Sequence, residues 1–267
     1  MNPSYIKYKN VQVHNNPALL TPKEIRNFHQ SIEPDNSKKE CWNWKYLKSL
    51  YNTWVYNSFT VYNSNDTEIG YAVLVEGSEF KHSCKPNTAY FTLPYTGVTF
   101  FRAIGPIRGE AVPTVSFIRD NLVRDDETRQ LLLKKTFFFD CQCELCSSPV
   151  QYDYAKLSSL YQTYTSLRES YSYQLWPKLY ETHLEILKMF REMYYEYDPR
   201  ILEICWNTCG WAVKLSVLDS SVEKIIDESF RLIKIIYGES SLQFGAMGNM
   251  KKIYDALLLT SNPSGRN

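Results

Sequence analysis

The chain has 267 residues, 44% of them apolar and 22% charged, a composition that excludes disorder, collagen-like repetition and low complexity. A chain of this length buries roughly 70–75% of its unfolded surface, so it can form one large domain or two smaller ones without disulfide staples. Thirty basic residues against 29 acidic ones leave a net charge of +1, which argues against a nucleic-acid surface or an acidic tail. Tyrosine is abundant, 21 residues in a 15% aromatic content, enough to build aromatic pockets.

The opening Met1-Asn2-Pro3-Ser4-Tyr5 has no apolar run of the secretory type. The most apolar long segment, residues 201–218, carries Glu203, Asn207 and Lys214 and is too polar to span a bilayer. The expected setting is intracellular, cytoplasmic or nuclear, with no membrane and no direct nucleic-acid partner.

In chain order, Thr21 and Pro22 supply an N-cap and an N1 proline for a helix carrying Ile25, Phe28 and Ile32. Residues 42–56 are dense in aromatics, and Trp44, Leu47, Tyr51 and Trp54 step at helical spacing. Short β-type runs follow at 59–62, 71–74, 88–91 and 98–101, with a further candidate at 113–117; Pro94-Tyr95-Thr96-Gly97 reads as a hairpin connection. This succession is not a βαβ pattern, so a doubly wound parallel sheet is not expected. Residues 125–136 form a charged helix, and the run Arg119, Asp120, Arg124-Asp125-Asp126-Glu127 and Arg129 reads as that helix's solvated face and its approach.

After about residue 150 the pattern is helical. Leu184, Leu187, Phe190 and Tyr194 form one stripe, Asp198-Pro199 caps the next helix, and Leu202, Cys205, Cys209 and Ala212 share its face. Ser220 and Glu223 read as a capping box for a helix carrying Val222, Ile225, Ser229, Leu232 and Ile236, which Gly238 ends. A faint repeat at an offset of 42 pairs Leu184 with Ile226, Phe190 with Leu232, Met193 with Ile235, Tyr195 with Tyr237, and Asp198 with Ser240. Stacked helix pairs of tetratricopeptide type are the expected architecture, with a plain helical bundle as the alternative.

The seven cysteines are unevenly placed. Three are packed as Cys141-Gln142-Cys143-Glu144-Leu145-Cys146, and clustered cysteines in a chain without an export signal favour metal over disulfides. A structural zinc site needs four ligands, so a fourth must come from elsewhere. Unligated thiols and an iron–sulfur site remain alternatives. Cys205 and Cys209 lie on an apolar helix stripe and read as core, whereas Cys84 sits in the unusual segment His82-Ser83-Cys84-Lys85-Pro86-Asn87 and is the better candidate. His14, His29 and His183 have no ligand spacing and read as ordinary surface or core residues.

These residues carry a resemblance. His82-Ser83-Cys84-Lys85-Pro86-Asn87 resembles the Asn-His-Ser-Cys-x-Pro-Asn motif of SET-domain protein-lysine methyltransferases. Gly109-Glu110 with Ser116-Phe117-Ile118 is similar to their Gly-Glu-Glu-Leu…Ser-Tyr segment, and Phe139-x-Cys141-x-Cys143-x-x-Cys146 to their post-SET zinc motif. Asn57-Ser58-Phe59-Thr60, Gly70 and His82 keep the order of the SET- and MYND-type (SMYD) subfamily, and Ile236-Tyr237-Gly238-Glu239 resembles its C-terminal repeats. The likeness runs over roughly 55–260.

The resemblance implies an α+β protein: a partial SET β-fold with a post-SET zinc site, followed by an all-α tetratricopeptide-like domain. The implied division is a helical N-terminal segment over 1–56, resembling the SET insert, a SET core over 57–119, a post-SET zinc segment over 120–149 and helical repeats over 150–267. It implies zinc on Cys84, Cys141, Cys143 and Cys146, and S-adenosylmethionine contacted by Asn57, Lys81, His82 and Phe139. The partner it implies is a protein or peptide, with a histone or non-histone lysine as methyl acceptor. Two departures bear on activity. Lys81 stands where the family has a cofactor-contacting Asn, replacing a donor and acceptor by a donor-only cation, and Phe117 stands where it has the catalytic Tyr. Phe137 also replaces a Tyr that often lines the lysine channel. The glycine- and basic-residue loop that holds the cofactor carboxylate, and the MYND finger, have no counterpart before residue 55. Three readings follow: a methyltransferase with a divergent site, weak or inactive as written; a catalytically dead SET-fold binding module acting through its helical repeats; and a part of a longer chain.

Overall fold

The computed structural model describes residues 27, 44–62, 68–92, 98–109, 112–118, 124–169 and 172–261. The helix signal around Thr21 and Pro22, the histidines His14 and His29, Cys41, Trp42, the 94–97 connection, Glu110, Arg119 and Asp120 lie outside these residues. Two compact units divide the chain: residues 1–81, 91–100 and 136–138 in the first, and 82–90, 101–135 and 139–267 in the second.

In the first unit, α1 (Trp44–Asn57) leads directly into β1 (Ser58–Tyr62), which pairs antiparallel with β2 (Glu68–Val73). The register sets Phe59 opposite Ala72 and Thr60 opposite Tyr71, so buried Phe59 and exposed Tyr71 sit on opposite faces of the pleat. Among the described side chains of α1, Leu47, Asn52, Thr53 and Tyr56 are buried. The exposed Tyr71 ring meets Trp54 edge to face at 6.2 Å.

Four shorter strands follow: β3 (Lys81–His82), β4 (Thr88–Thr92), β5 (Thr99–Ala103) and β6 (Thr114–Val115). β4 pairs with β5 and β3 with β6. The expected 113–117 strand is thus only two residues long. Asn87 accounts for much of the local order. Its Oδ1 accepts from the Thr114 backbone N–H at 2.8 Å, and its carbonyl accepts from the N–H groups of Ile104 and Gly105 at 2.8 and 3.1 Å. One residue, through its side chain and its own carbonyl, thereby satisfies backbone N–H groups that a longer ladder would otherwise pair.

Helix α2 (Asp126–Phe137) begins at a cap, the Asp125 carboxylate accepting from Thr128 N–H at 2.7 Å. Five helices make up the rest: α3 (Tyr154–Glu169), α4 (Trp176–Met193), α5 (Pro199–Leu215), α6 (Ser220–Ile236) and α7 (Leu242–Ser261). Each packs on the next, and α5 also touches α7. Of the expected stripes, Leu187, Phe190 and Tyr194 are buried with Leu184 only half-buried, and Leu202, Cys205, Cys209 and Ala212, like Val222, Ile225, Ser229, Leu232 and Ile236, are all buried. His183 is a core residue, its Nδ1 beside the Leu179 carbonyl at 2.8 Å and its ring against Tyr164. Asp198 caps α5 as expected, accepting from Arg200 N–H at 3.0 Å. Gly238 adopts φ +91° just past α6, a backbone region that L side chains rarely adopt.

The α6 cap falls one residue earlier than the capping-box pattern predicts. Asp219, not Ser220, is the N-cap, and its carboxylate accepts from the N–H groups of Ser221 and Val222 at 2.8 and 3.1 Å. These hydrogen bonds, first from the Ser221 hydroxyl, hold the Asp219 carboxyl below the usual aspartate range. Because the folded pKa is depressed, the cap contributes fully above the ordinary value of about 4 and is lost as pH falls through the lower folded value. Asp219→Ala should therefore cost about 1 kcal/mol near neutrality. In thermal melts, its deficit from wild type should shrink on acidification; a deficit independent of pH would exclude a charge-assisted cap.

Candidate metal centre

Cys84 lies just after β3, and the other three cysteines follow α2 in the segment 139–147. Their ligand atoms all lie within 4.8 Å of one another, although 57 to 62 residues separate Cys84 from the trio. Cys146 Sγ is 3.6 Å from Cys84 Sγ, and the Cys84 backbone N–H donates to Cys143 Sγ at 3.3 Å. Four sulfurs placed about 2.3 Å from a tetrahedral zinc stand about 3.8 Å apart, so the observed spacing fits the ion. Cys84 and Cys141 are buried, and Cys143 and Cys146 half-buried.

The thiols share protons. Hydrogen bonds from Cys143, Cys146 and Cys84 push the Cys141 thiol far below the usual range, whereas those with Cys141, Cys143 and Cys146, together with burial, push Cys84 up. Although its hydrogen bond with Cys141 opposes the shift, those with Cys146 and Cys84 lower the Cys143 thiol to about 5, while hydrogen bonds with Cys141 and Cys143 push Cys146 up. Two sulfurs therefore ionise readily while two keep their protons, and a divalent cation would supply the charge that lets all four ionise.

Helix α2 orients this segment. The Gln130 side chain spans Cys141, its Nε2 donating to the carbonyl at 2.7 Å and its Oε1 accepting from the N–H at 2.8 Å. On the other side, Glu144 accepts from Lys85 Nζ and from the Tyr195 hydroxyl, both at 2.7 Å, and Lys85 Nζ lies 4.5 Å over the Tyr195 ring. Tyr195 packs so tightly on Gly105 that a Cβ there would come within 2.6 Å of the ring. These contacts tie the cysteine segment to the α4–α5 junction, and no motif in the sequence points to them.

His82 links the cysteines to position 117. The Phe117 backbone N–H donates to His82 Nδ1 at 3.0 Å, so in the neutral ring the proton sits on Nε2, which faces Cys84 Sγ at 3.3 Å. The imidazole thus donates to a cysteine sulfur while accepting from the Phe117 backbone. The rings of Phe117 and Phe139 lie 5.3 and 5.7 Å from it. The expected contacts of His82 were main-chain ones to the cofactor; its side chain has this separate use.

The second unit thus brings together Cys84, Cys141, Cys143, Cys146, His82, Phe117 and Phe139. Asn57 and Lys81 belong to the first. Asn57 ends α1 with its Nδ2 donating to the Thr53 carbonyl at 3.1 Å, and Lys81 is an exposed residue of β3. Arg129 corrects the sequence reading. Arg124, Asp125, Asp126 and Glu127 are exposed as expected, but Arg129 is completely buried.

Fold and site define an α+β protein in which a four-cysteine centre suited to zinc sits between short strands and a helical C-terminal part. No family model matches the chain. Among curated proteins, it is 29% identical over 188 residues to the N-lysine methyltransferase SMYD2-B of Xenopus laevis, covering 68% of this chain and 38% of that protein. It is 29% identical over 150 residues to SMYD2-A of Danio rerio, covering 56% and 32%. It is 35% identical over 92 residues to a SET and MYND domain-containing protein of Dictyostelium discoideum, covering 34% and 22%. The ordered motifs and these likenesses point the same way, to similarity with SET- and MYND-type SET-domain proteins. It spans about a fifth to two fifths of the length of these relatives. Among the described residues, no helix is long and apolar enough to cross a membrane.

Proposed function

We propose that this chain is the SET, post-SET and helical-repeat part of a protein of the lysine-methyltransferase type, with methyl transfer weak or absent in the sequence as it stands. The observation that carries this reading is the meeting of Cys84, from the His82-Ser83-Cys84 segment, with the Cys141–Cys143–Cys146 trio. Zinc held there is structural, keeping the segment with Phe139 beside His82 and Phe117. When bound, S-adenosylmethionine supplies an activated methyl, and the acceptor is a lysine of a protein or peptide. The chain's own residues contribute positioning, with Asn57, Lys81, His82 and Phe139 assigned to the cofactor.

Phe117 is the weak point. It retains the ring of a tyrosine but lacks the hydroxyl that would orient an amine and the transferring methyl, and loss of one such group costs about 2–4 kcal/mol of transition-state stabilisation. Calorimetric titration with S-adenosylmethionine and transfer of labelled methyl to lysine peptides test the reading together. Phe117→Tyr should raise transfer by on the order of 10²-fold. Absence of heat at millimolar cofactor, with no transfer by either protein, would overturn the enzyme reading.

The same missing hydroxyl favours a second reading, a SET-fold binding module that acts through its helices. The buried, repeat-related residues Phe190 and Leu232 support stacked tetratricopeptide-like pairs over 150–267. Such a module retains its peptide partner without cofactor; a pull-down that requires cofactor argues against it.

A further inference from the structure

Arg129 is the one completely buried charged side chain of α2. A guanidinium stays protonated at any accessible pH, so its burial must be offset by anions and by hydrogen bonds. It donates to the Arg124 carbonyl and to the Asp126 carboxylate, and it lies 4.9 Å over the Tyr154 ring. Those partners leave a shortfall. The Asp126 side chain is 56% exposed and so is itself well solvated, and Arg129 Nε has no hydrogen-bond partner. The remaining neighbour is sulfur: Arg129 Nη2 reaches to 4.0 Å from Cys146 Sγ.

A divalent ion with four thiolates carries a net charge of −2, held here in a largely buried site. We propose that Arg129 is the internal counter-cation of the four-thiolate centre, stabilising the metal-bound dianion and being stabilised by it in return. This rests on the zinc reading of the four cysteines and adds a residue to it that binds no metal itself. It also explains why α2 buries a cation next to Gln130, which holds the Cys141 backbone: the helix contributes both the position and the charge of the site.

The test is Zn²⁺ affinity of the full chain, measured by competition with a chromophoric chelator, with Co²⁺ spectra reporting the ligand set. Arg129→Gln should bind Zn²⁺ about 10–100-fold more weakly while the Co²⁺ spectrum still shows four sulfur ligands. Arg129→Lys, which keeps the charge and loses the planar fork, should recover part of the loss. Asp126→Asn should bind at least as tightly as wild type, because the guanidinium is released towards sulfur. An Arg129→Gln affinity within about twofold of wild type overturns the proposal, since loss of an outer partner of a metal ligand ordinarily costs tenfold or more. So does an Asp126→Asn loss matching that of Arg129→Gln, which would assign Arg129 to the Asp126 ion pair alone. Should Arg129→Gln fail to fold, Asp126→Asn decides on its own scale: a tenfold or greater loss of Zn²⁺ affinity overturns the proposal, and anything smaller supports it. A wild-type chain that takes up no Zn²⁺ overturns the metal reading and this inference together, whereas normal uptake with an indifferent Arg129→Gln removes only the inference.

Discussion

Cys84→Ser should abolish stoichiometric zinc binding, leaving far less than the approximately one zinc per chain expected of the wild type by elemental analysis. A serine hydroxyl does not ionise in the accessible range, so only three thiolates would remain around a site sized for four. The consequences extend past the metal. Cys84 Sγ faces the His82 ring, so its loss loosens a side-chain link between the cysteines and the Phe117 backbone. Apparent zinc-binding energies of about 10–16 kcal/mol in small structural sites set the scale. Chelation of the wild type should likewise lower its melting temperature, with little effect on Cys84→Ser. Cys205→Ser and Cys209→Ser serve as controls. Both residues are fully buried on α5, where burial pushes their thiols up, and they should keep the metal at some cost in stability. A Cys84→Ser protein with a full zinc complement would refute the fourth ligand.

Phe190→Ala should destabilise the helical part by about 3–5 kcal/mol, the usual cost of emptying a buried phenylalanine site. Phe190 is fully buried in α4, with its ring 6.2 Å from Tyr161 of α3 and 5.2 Å from Tyr194 at the end of its own helix. Tyr194 in turn supports the Arg200 guanidinium, 3.5 Å above its ring, and Arg200 is paired with the capping Asp198. A cavity at Phe190 therefore removes packing and loosens the support of the half-buried Arg200 cation at the start of α5. Urea unfolding followed by far-ultraviolet circular dichroism checks this; a change under about 1 kcal/mol would mean that the helices do not share this core.

Much of the architecture was legible because it is local. The stripe Leu202, Cys205, Cys209 and Ala212 is periodic, and Asp198-Pro199 and Gly238 mark helix ends by their own backbone chemistry. The same reasoning placed the α6 cap at Ser220, one residue late. Ser and Asp are comparable N-caps, and only the geometry selects Asp219. The expected 113–117 strand shortens to β6, still paired with β3, because the Thr114 N–H goes to the Asn87 side chain and the Phe117 N–H to His82, bonds that a β-type run does not reveal. Arg129 was missed for a similar reason. Seven charged residues in a run of eleven look like one solvated face, and nothing in their order distinguishes the cation that the fold encloses.

The sequence by itself determined the helix stripes, the three-cysteine cluster and, through motif order, the likeness to SET- and MYND-type proteins that named Cys84 and singled out Phe117. Tertiary structure alone decided that Cys84 reaches the other three sulfurs, that His82 turns Nε2 to sulfur and Nδ1 to Phe117, and that Arg129 is buried at Cys146. The reason is physical. Helical periodicity and capping depend on neighbours within one or two turns, whereas a sulfur cluster and its compensating charge depend on segments up to 62 residues apart, brought together by the fold as a whole.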